Sequence, residues 1–443
     1  MQFNIEKLVY GGDGIARLPV DERGPGKATF IPFVLEEEKV EATLLEEKSG
    51  FARARVDQIV QSSPRRCPPP CPYFQRCGGC HYQHTDYQHQ LEIKAAILKE
   101  NLRRIAKFEL EQELVIHPSP PLNYRNRAQL RVQSLPEFAL GYYKFNSHQL
   151  LPVEECPISS PLINQAFTAV WHLGRTNRVP AGIREIEFFA GSDDKELLAE
   201  IYCPTEVADD TKQLAKELQD LVPEMVGVVL FELDDTKVEG RSDSRKLAAI
   251  GASELAYNTK VASYRVSAGS FFQVNRHLID ELVNVVLGGT RDAEDTIYIR
   301  AASGTALDLY AGVGLFSSVL NREFERVIAV ESSPTSYADL LYNSPANVKP
   351  VRATTEQYLE NVAGKLRLDL AVVDPPRSGL GKKVIQKLVN LKPPRITYVS
   401  CDPATLARDL AALLHSGYRV QEAHLIDLFP QTYHLESVFQ LVR

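Results

Sequence analysis

The sequence predicts a multidomain α/β protein: a small N-terminal β-barrel over residues 1–60, a central α+β domain over 61–262, and a doubly wound parallel sheet over 263–443. Three observations carry that division. The first sixty residues read as short strands broken by glycine-rich turns. The triple proline Pro68-Pro69-Pro70 can continue neither a helix nor a central strand. From about residue 263 short apolar runs alternate with helix-length segments, the pattern of parallel strands joined by crossover helices. At roughly 150 residues per domain, a chain of 443 residues accommodates all three cores. With 44% apolar and 24% charged residues it lies far from collagenous or disordered compositions. No stretch approaches the ~20 apolar residues of a membrane span. The start Met1-Gln2-Phe3-Asn4-Ile5-Glu6-Lys7 lacks a signal-peptide pattern, so a cytoplasmic address and no membrane partner are expected.

In the N-terminal segment the expected strands are 3–10, 28–34, 39–45 and 52–59, with Gly11-Gly12-Asp13-Gly14 as the first turn. Beyond the prolines, Leu91, Ala95, Leu98, Leu102 and Ile105 recur at steps of four and three. That spacing predicts a helix over 90–107, with Lys94, Lys99, Arg103 and Arg104 on its polar side. Strands 128–132, 183–190 and 225–233 belong to the central domain. In the last domain 306–310, 327–331, 368–373 and 396–400 are the parallel strands, and 424–428 with 437–442 should form an antiparallel hairpin.

Four of the seven cysteines crowd between Cys67 and Cys80. In a reducing compartment such crowding points to metal or cofactor ligation rather than disulfides. On spacing alone, zinc held by Cys67, Cys71, Cys77 and Cys80, with His81 or His84 as substitutes, is open. Cys203 reads as structural and Trp171 as packing. The net charge of −7 argues against a general nucleic-acid coat, but charge is unevenly spread. Residues 61–150 carry 12 Lys or Arg against 7 Asp or Glu, whereas residues 1–60 carry 8 against 11, so nucleic-acid contact is expected in the second segment. Within it, Tyr124-Arg125-Asn126-Arg127 and Arg131 interleave an aromatic ring with cations, suited to a stacked base and phosphates.

The C-terminal domain carries the chemistry. Asp308-Leu309-Tyr310-Ala311-Gly312-Val313-Gly314-Leu315-Phe316-Ser317 places a glycine turn after the first parallel strand, where a ligand can approach the backbone. The third glycine of the dinucleotide fingerprint is replaced by Ser317. Glu331 ends the second strand, placed to accept both ribose hydroxyls of an adenosine cofactor. Asp374-Pro375-Pro376-Arg377 closes the fourth strand with an extended loop whose aspartate can accept a hydrogen bond. An arginine where amino-group methyltransferases carry an aromatic residue favours attack at a ring carbon over exocyclic nitrogen. Ser400-Cys401-Asp402-Pro403 ends the fifth strand, and a following helix would favour the Cys401 thiolate. His434 and Glu436, two apart at a strand's start, should share a face.

These pieces resemble the RNA uracil-5-methyltransferase family: Phe271-Phe272-Gln273-Val274-Asn275, the glycine turn, Val373 through Leu380, Ser400 through Leu410, and His434-Leu435-Glu436-Ser437-Val438. Residues 1–60 resemble a TRAM RNA-binding domain. Cys71-Pro72-Tyr73-Phe74-Gln75-Arg76-Cys77-Gly78-Gly79-Cys80 resembles the cluster segment of the iron-sulfur branch acting on 23S ribosomal RNA. The resemblance implies a Rossmann-like methyltransferase domain, S-adenosyl-L-methionine as donor, and methylation of carbon 5 of a uridine, in 23S rRNA rather than tRNA, by a monomer. Residue by residue it implies Cys401 as nucleophile and Glu436 as base, with Gln273, Tyr310, Glu331 and Asp374 on the donor. It further implies Cys71, Cys77, Cys80 and Cys156 as ligands of a 4Fe-4S cluster. Ala353-Thr354 departs from a Gly-Asp pair common near the adenine, and Cys67 is additional to the cluster pattern. Two competing readings are a cytosine carbon 5 RNA methyltransferase and a non-catalytic iron-sulfur RNA-binding protein.

Overall fold

The computed structural model describes residues 1–18, 26–233, 244–288, 303–362 and 366–443, and among these residues the strands form four sheets. The first contains β1 (Gln2–Asn4), β2 (Lys7–Leu8), β3 (Asp13–Arg17), β4 (Ala28–Pro32), β5 (Lys39–Glu47) and β6 (Phe51–Gln61), ordered β1-β5-β6-β4-β3-β2. Period-two alternation turns Val40 and Ala42 inward and Glu41 and Thr43 outward. Register shifts between β5 and β6 bend the sheet around a core of Phe3, Ile5, Ala16, Ile31, Val34 and Ala54.

β7 (Leu114–His117) leaves this region and joins the fourth sheet described below. The second sheet comprises β8 (Arg127–Gln133), β9 (Ala139–Tyr143), β10 (Leu150–Pro152), β11 (Glu185–Ala190), β12 (Leu197–Cys203), β13 (Met225–Glu232) and β14 (Lys246–Gly251), ordered β10-β9-β8-β11-β12-β13-β14. Helices Pro161–Arg175 and Ala208–Leu221 cover it, packing Phe167, Val170, Leu214 and Leu218 on Leu130, Ile186, Ile201 and Val228. β15 (Glu254–Asn258) and β16 (Ser263–Ser267) form a separate hairpin.

The fourth sheet holds β17 (Thr305–Leu309), β18 (Arg326–Glu331), β19 (Val348–Arg352), β20 (Leu370–Val373), β21 (Arg395–Ser400), β22 (Arg419–Ile426) and β23 (Glu436–Val442), ordered β19-β18-β17-β20-β21-β23-β22-β7. β17 to β21 run parallel, and β23 lies antiparallel between β21 and β22. From β17 the chain winds outward to β18 and β19 and then returns to β20 on the other side. That reversal opens a crevice beyond the carboxyl ends of β17 and β20, where open α/β sheets bind ligands. The expected parallel strands and terminal hairpin are present within a few residues.

Two local expectations change. The helix runs Tyr87–Asn101, capped by Asp86 accepting from His89 N, and continues as a π-turn over Leu102–Ala106. Leu91, Leu98 and Leu102 are buried, but Ile105 is 42% exposed and Lys94, expected on the polar side, is fully buried. The reason is tertiary: the C-terminal loop docks over this helix, and Lys94 Nζ donates to Asp427 Oδ1 at 2.6 Å and Phe429 O at 2.9 Å. β7 was not expected, being four residues long, and it extends the fourth sheet by pairing with β22. Among the described residues no helix is long and apolar enough to cross a membrane.

Candidate active site

The glycine turn follows β17 directly. Tyr310 has φ 64° and Gly312 φ 57°, and a Cβ added at Gly312 would meet nothing within 4 Å, leaving the backbone open to a ligand. Glu331, at the end of β18, steadies this turn: Oε2 accepts from Gly312 N at 2.9 Å, while Oε1 accepts from Ser332 N and Ser333 N at 2.7 and 2.6 Å. Thr354, at the site of the departure from the family pattern, caps helix Thr355–Asn361 in a reciprocal box with Gln357. Gln273 is buried on the segment after β16, its carbonyl accepting from Asn126 Nδ2 at 3.1 Å.

Parallel pairing of β17 with β20 brings Asp308 and Asp374 into electrostatic contact. Asp308 Oδ2 accepts from Ser317 Oγ at 2.5 Å, whereas buried Oδ1 has no hydrogen-bond partner among the described residues. Burial pushes this carboxyl up to about 7. Asp374 is also pushed up, by burial and then by Asp308.

The register of β21 against β23 ends with Ser400 opposite Ser437, which leaves Cys401 and Glu436 at the crevice end of this pair, close enough to interact electrostatically. Glu436 is buried, and burial with Asp374 nearby drives its pKa well above the carboxylate range, against the pull of Arg377. Cys401 is only partly covered. Its thiol is pushed up to about 12 by burial and then by Glu436 and Asp374, with Arg377 opposing. This reverses the expectation of a thiolate favoured by the following helix. Helix Pro403–His415 does begin there, but Asp402 occupies its N-terminus, Oδ1 accepting from Ala404 N at 3.0 Å and Thr405 N at 2.8 Å. The helix end is thereby satisfied by a carboxylate rather than by sulfur. Arg377, quoted from the sequence only as a replacement for an aromatic ring, is the guanidinium that acts electrostatically on Cys401, Glu436 and His434.

His434 lies before β23 rather than on it, with its ring 4.3 Å from Tyr433 and 5.5 Å from Phe429. Burial lowers it to about 3, so the imidazole is neutral. The preceding loop is clamped at Gln431, which has φ 69°. Gln431 N donates to Gln90 Oε1 and Gln431 O accepts from His81 N and Tyr82 N at 2.8 and 3.0 Å. This bond network joins the cysteine segment to the loop that presents Glu436.

Cys71, Cys77, Cys80 and Cys156 line one cavity of about 70 Å³ with Phe74, Val153, Ile158 and Arg125. Cys67 does not line it; its sulfur lies 3.9 Å from Gln83 O. His81 packs on Tyr433 at 4.6 Å and His84 Nε2 faces Val34 O at 3.3 Å, so the zinc set drawn from spacing is not assembled. Among the described residues no group of three or more His, Cys, Asp or Glu side chains closes around a single metal ion. A roomier cavity of about 510 Å³ lies at the amino ends of β17 to β19, around Gly304, Arg326, Asn347 and Lys349, away from all candidate residues.

The family model described as tRNA (Uracil-5-)-methyltransferase matches residues 86–443. The chain belongs to that family. An uncharacterized RNA methyltransferase of Aquifex aeolicus is 34% identical over 99% of this chain and 97% of its own length. Another, of Caldanaerobacter subterraneus, is 30% identical over 99% and 96%. The crystal structure of Pyrococcus abyssi tRNA (uracil-54, C5)-methyltransferase in complex with S-adenosyl-L-homocysteine shares the fold, with a TM-score of 0.73, 23% identity and full coverage of both chains.

In this RNA methyltransferase the segment expected to face RNA is instead structural. Tyr124 and Asn126 are fully buried, Tyr124 OH donating to Pro430 O at 3.0 Å. Arg125 turns into the cysteine cavity, Arg127 pairs with Glu187 at 3.2 Å beneath Phe189, and Arg131 pairs with Glu185. Arg127 and Arg131 are met by carboxylates 50 or more residues away, which a local charge count does not include.

Proposed function

We propose that this methyltransferase moves a methyl group from S-adenosyl-L-methionine to carbon 5 of a uridine in RNA, with 23S rRNA the expected substrate, through a covalent bond from Cys401 to carbon 6. One observation carries the reading: the β21–β23 register sets a partly open thiol beside a buried carboxyl at the mouth of the crevice. The donor would rest on the open backbone of Gly312, with Tyr310, Glu331, Gln273 and Asp374 as its contacts. When bound it supplies an electrophilic methyl on a cationic sulfur. Asp308, Asp374 and Glu436, all with raised pKa and with Asp308 Oδ1 lacking a hydrogen bond among the described residues, form surroundings that a cation relieves.

Carbon 5 of uracil is a poor nucleophile, and the protein residues change that. Cys401 passes its proton to solvent, favoured by Arg377, and its sulfur bonds to carbon 6 while the displaced electron pair moves to the carbonyl oxygen as an enolate. Carbon 5 then bonds to the methyl carbon as the donor's carbon–sulfur bond breaks. Ionised Glu436 removes the carbon 5 proton, the double bond reforms, and Cys401 leaves as thiolate. The raised pKa of Glu436 makes it a stronger base than an ordinary carboxylate once ionised.

We assign Cys71, Cys77, Cys80 and Cys156 to a 4Fe-4S cluster. Four thiols line one cavity, enough for one thiolate per iron, and Cys67 stands apart. Such a cluster would tie the cysteine loop to the segment preceding helix Pro161–Arg175; no catalytic step passes through it. Residues 1–60 are assigned as a TRAM-type RNA-binding sheet, 61–262 as the iron-sulfur domain and 263–443 as the catalytic domain of a cytoplasmic monomer.

Incubation of anaerobically prepared protein with labelled donor and either rRNA or tRNA transcripts, followed by nucleoside digestion, tests the reading. 5-Methyluridine in rRNA is expected. 5-Methylcytidine would move the target to cytosine, and donor binding without methylation of either RNA would favour a non-catalytic binder.

A further inference from the structure

We propose that Tyr10, in the first turn of the N-terminal sheet, is a positioning residue for Cys401, so that the catalytic crevice is complete only with that sheet docked. The inference rests on Cys401 being the nucleophile. Tyr10 OH donates to Cys401 O at 3.1 Å, across 391 positions of sequence. The same peptide unit is held at its other end, where Asp402 N donates to Ser400 Oγ at 3.3 Å. Both polar atoms of the Cys401–Asp402 peptide are thus fixed, and with them the direction in which the Cys401 side chain leaves the strand.

The turn itself is fitted to this place. Gly12, at φ 92°, lies so close to His81 that an added Cβ would come within 2.9 Å of the imidazole and its Cβ. The Tyr10 ring meets Tyr433 edge-on at 5.3 Å, and Tyr433 in turn touches His81 and His434. One aromatic side chain from the N-terminal sheet therefore touches both flanks of the crevice: the main chain of the nucleophile and the loop leading to Glu436. Burial, with Asp402, Tyr433 and Cys401 nearby, raises the phenol's pKa and keeps its hydroxyl a donor at neutral pH. Attack on carbon 6 requires sulfur to arrive along one direction, and misplacement on the order of 1 Å can cost roughly 100-fold in rate.

Tyr10→Phe removes the hydroxyl and keeps the ring. Steady-state methylation, the dissociation constant for RNA and the melting temperature would be measured on the full chain, beside Cys401→Ala. The expected result is a fall of roughly tenfold in kcat, with KM for the donor, RNA affinity and melting temperature unchanged. Wild-type turnover in Tyr10→Phe overturns the proposal. So does a lowered melting temperature accounting for the loss, which reduces Tyr10 to packing, or a loss confined to RNA affinity, which makes it an RNA contact. Methylation surviving in Cys401→Ala instead defeats the covalent reading, whatever Tyr10→Phe does.

Discussion

Cys401 stands at the end of a strand, partly open, with carboxyls and a guanidinium around it, whereas Cys71, Cys77, Cys80 and Cys156 come from loops and line a cavity walled by Phe74, Val153 and Ile158. Both sets are reduced thiols in one chain. What separates them is their company: buried carboxyls with raised pKa values about the first, and three other thiols, with Arg125 and Glu155, about the second. A nucleophile needs a proton acceptor and an approach path; a ligand set needs convergence and exclusion of water. The two regions communicate through Gln431, whose carbonyl accepts from the main chain just after Cys80 and whose loop leads to Glu436.

The sharpest way to break the comparison is to exchange the losses. Cys401→Ala should abolish both RNA adduct and methylation, because a methyl group cannot add to carbon 6, while leaving iron content unchanged. Methylation by that variant, followed by donor-label transfer, would place the nucleophile elsewhere. Glu436→Gln keeps the shape without accepting the proton, so methylated RNA should stay attached to the enzyme. A slow, donor-dependent band on a denaturing gel is the readout, with turnover reduced roughly 10²- to 10⁴-fold. Normal turnover by Glu436→Gln would remove it from the base role.

Between the regions, Lys94 and Asp427 are both fully buried. Removing one partner of such a pair strands the other's charge, so Lys94→Met should destabilise the fold by about 3–5 kcal/mol, read by denaturant unfolding. In the cysteine cavity, Cys156→Ser should lose the visible absorbance and bound iron of the anaerobic protein, and Cys67→Ser should keep both. The reverse pattern would reassign the ligands.

Legibility differed in the same two regions. The candidate crevice was partly legible because several of its residues sit at strand ends: Glu331 ends β18, and Tyr310, Asp374 and Cys401 directly follow β17, β20 and β21. Glu436 was placed at the start of the last strand, and its role came only from the family resemblance. The cysteines could be counted, yet spacing within 67–80 could not separate Cys67 from Cys71, because loop geometry and not period decides which thiol points inward. Lys94, Arg127 and Arg131 were misplaced for a common reason: their partners Asp427, Glu187 and Glu185 are distant in sequence, and helical or charge pattern cannot see them. Tyr10 was invisible likewise, its partner being 391 residues away.

The smallest expected effect is also specific to the crevice. A carboxyl whose pKa is raised in the folded protein keeps its proton where a free carboxylate would have lost it. Its contribution to stability is therefore present at low pH and is lost as pH rises from the ordinary carboxylate value through the raised one. Asp308, held at about 7 by burial, is in this position, and Asp374 and Glu436 shift in the same direction. A bound cation favours the ionised forms and lowers all three, so S-adenosyl-L-methionine should expel protons on binding near pH 7. Asp308 alone is about half protonated there and supplies at most roughly half a proton. Calorimetry in two buffers of different ionisation enthalpy measures the release. S-Adenosyl-L-homocysteine, whose sulfur is uncharged, should release fewer protons, and the part of the difference due to Asp308 should vanish near pH 9, where that carboxyl is already ionised. Equal release by the two compounds at pH 7 would mean that the cationic sulfur lies away from these carboxyls, and Asp308 would then be a structural partner of Ser317 alone.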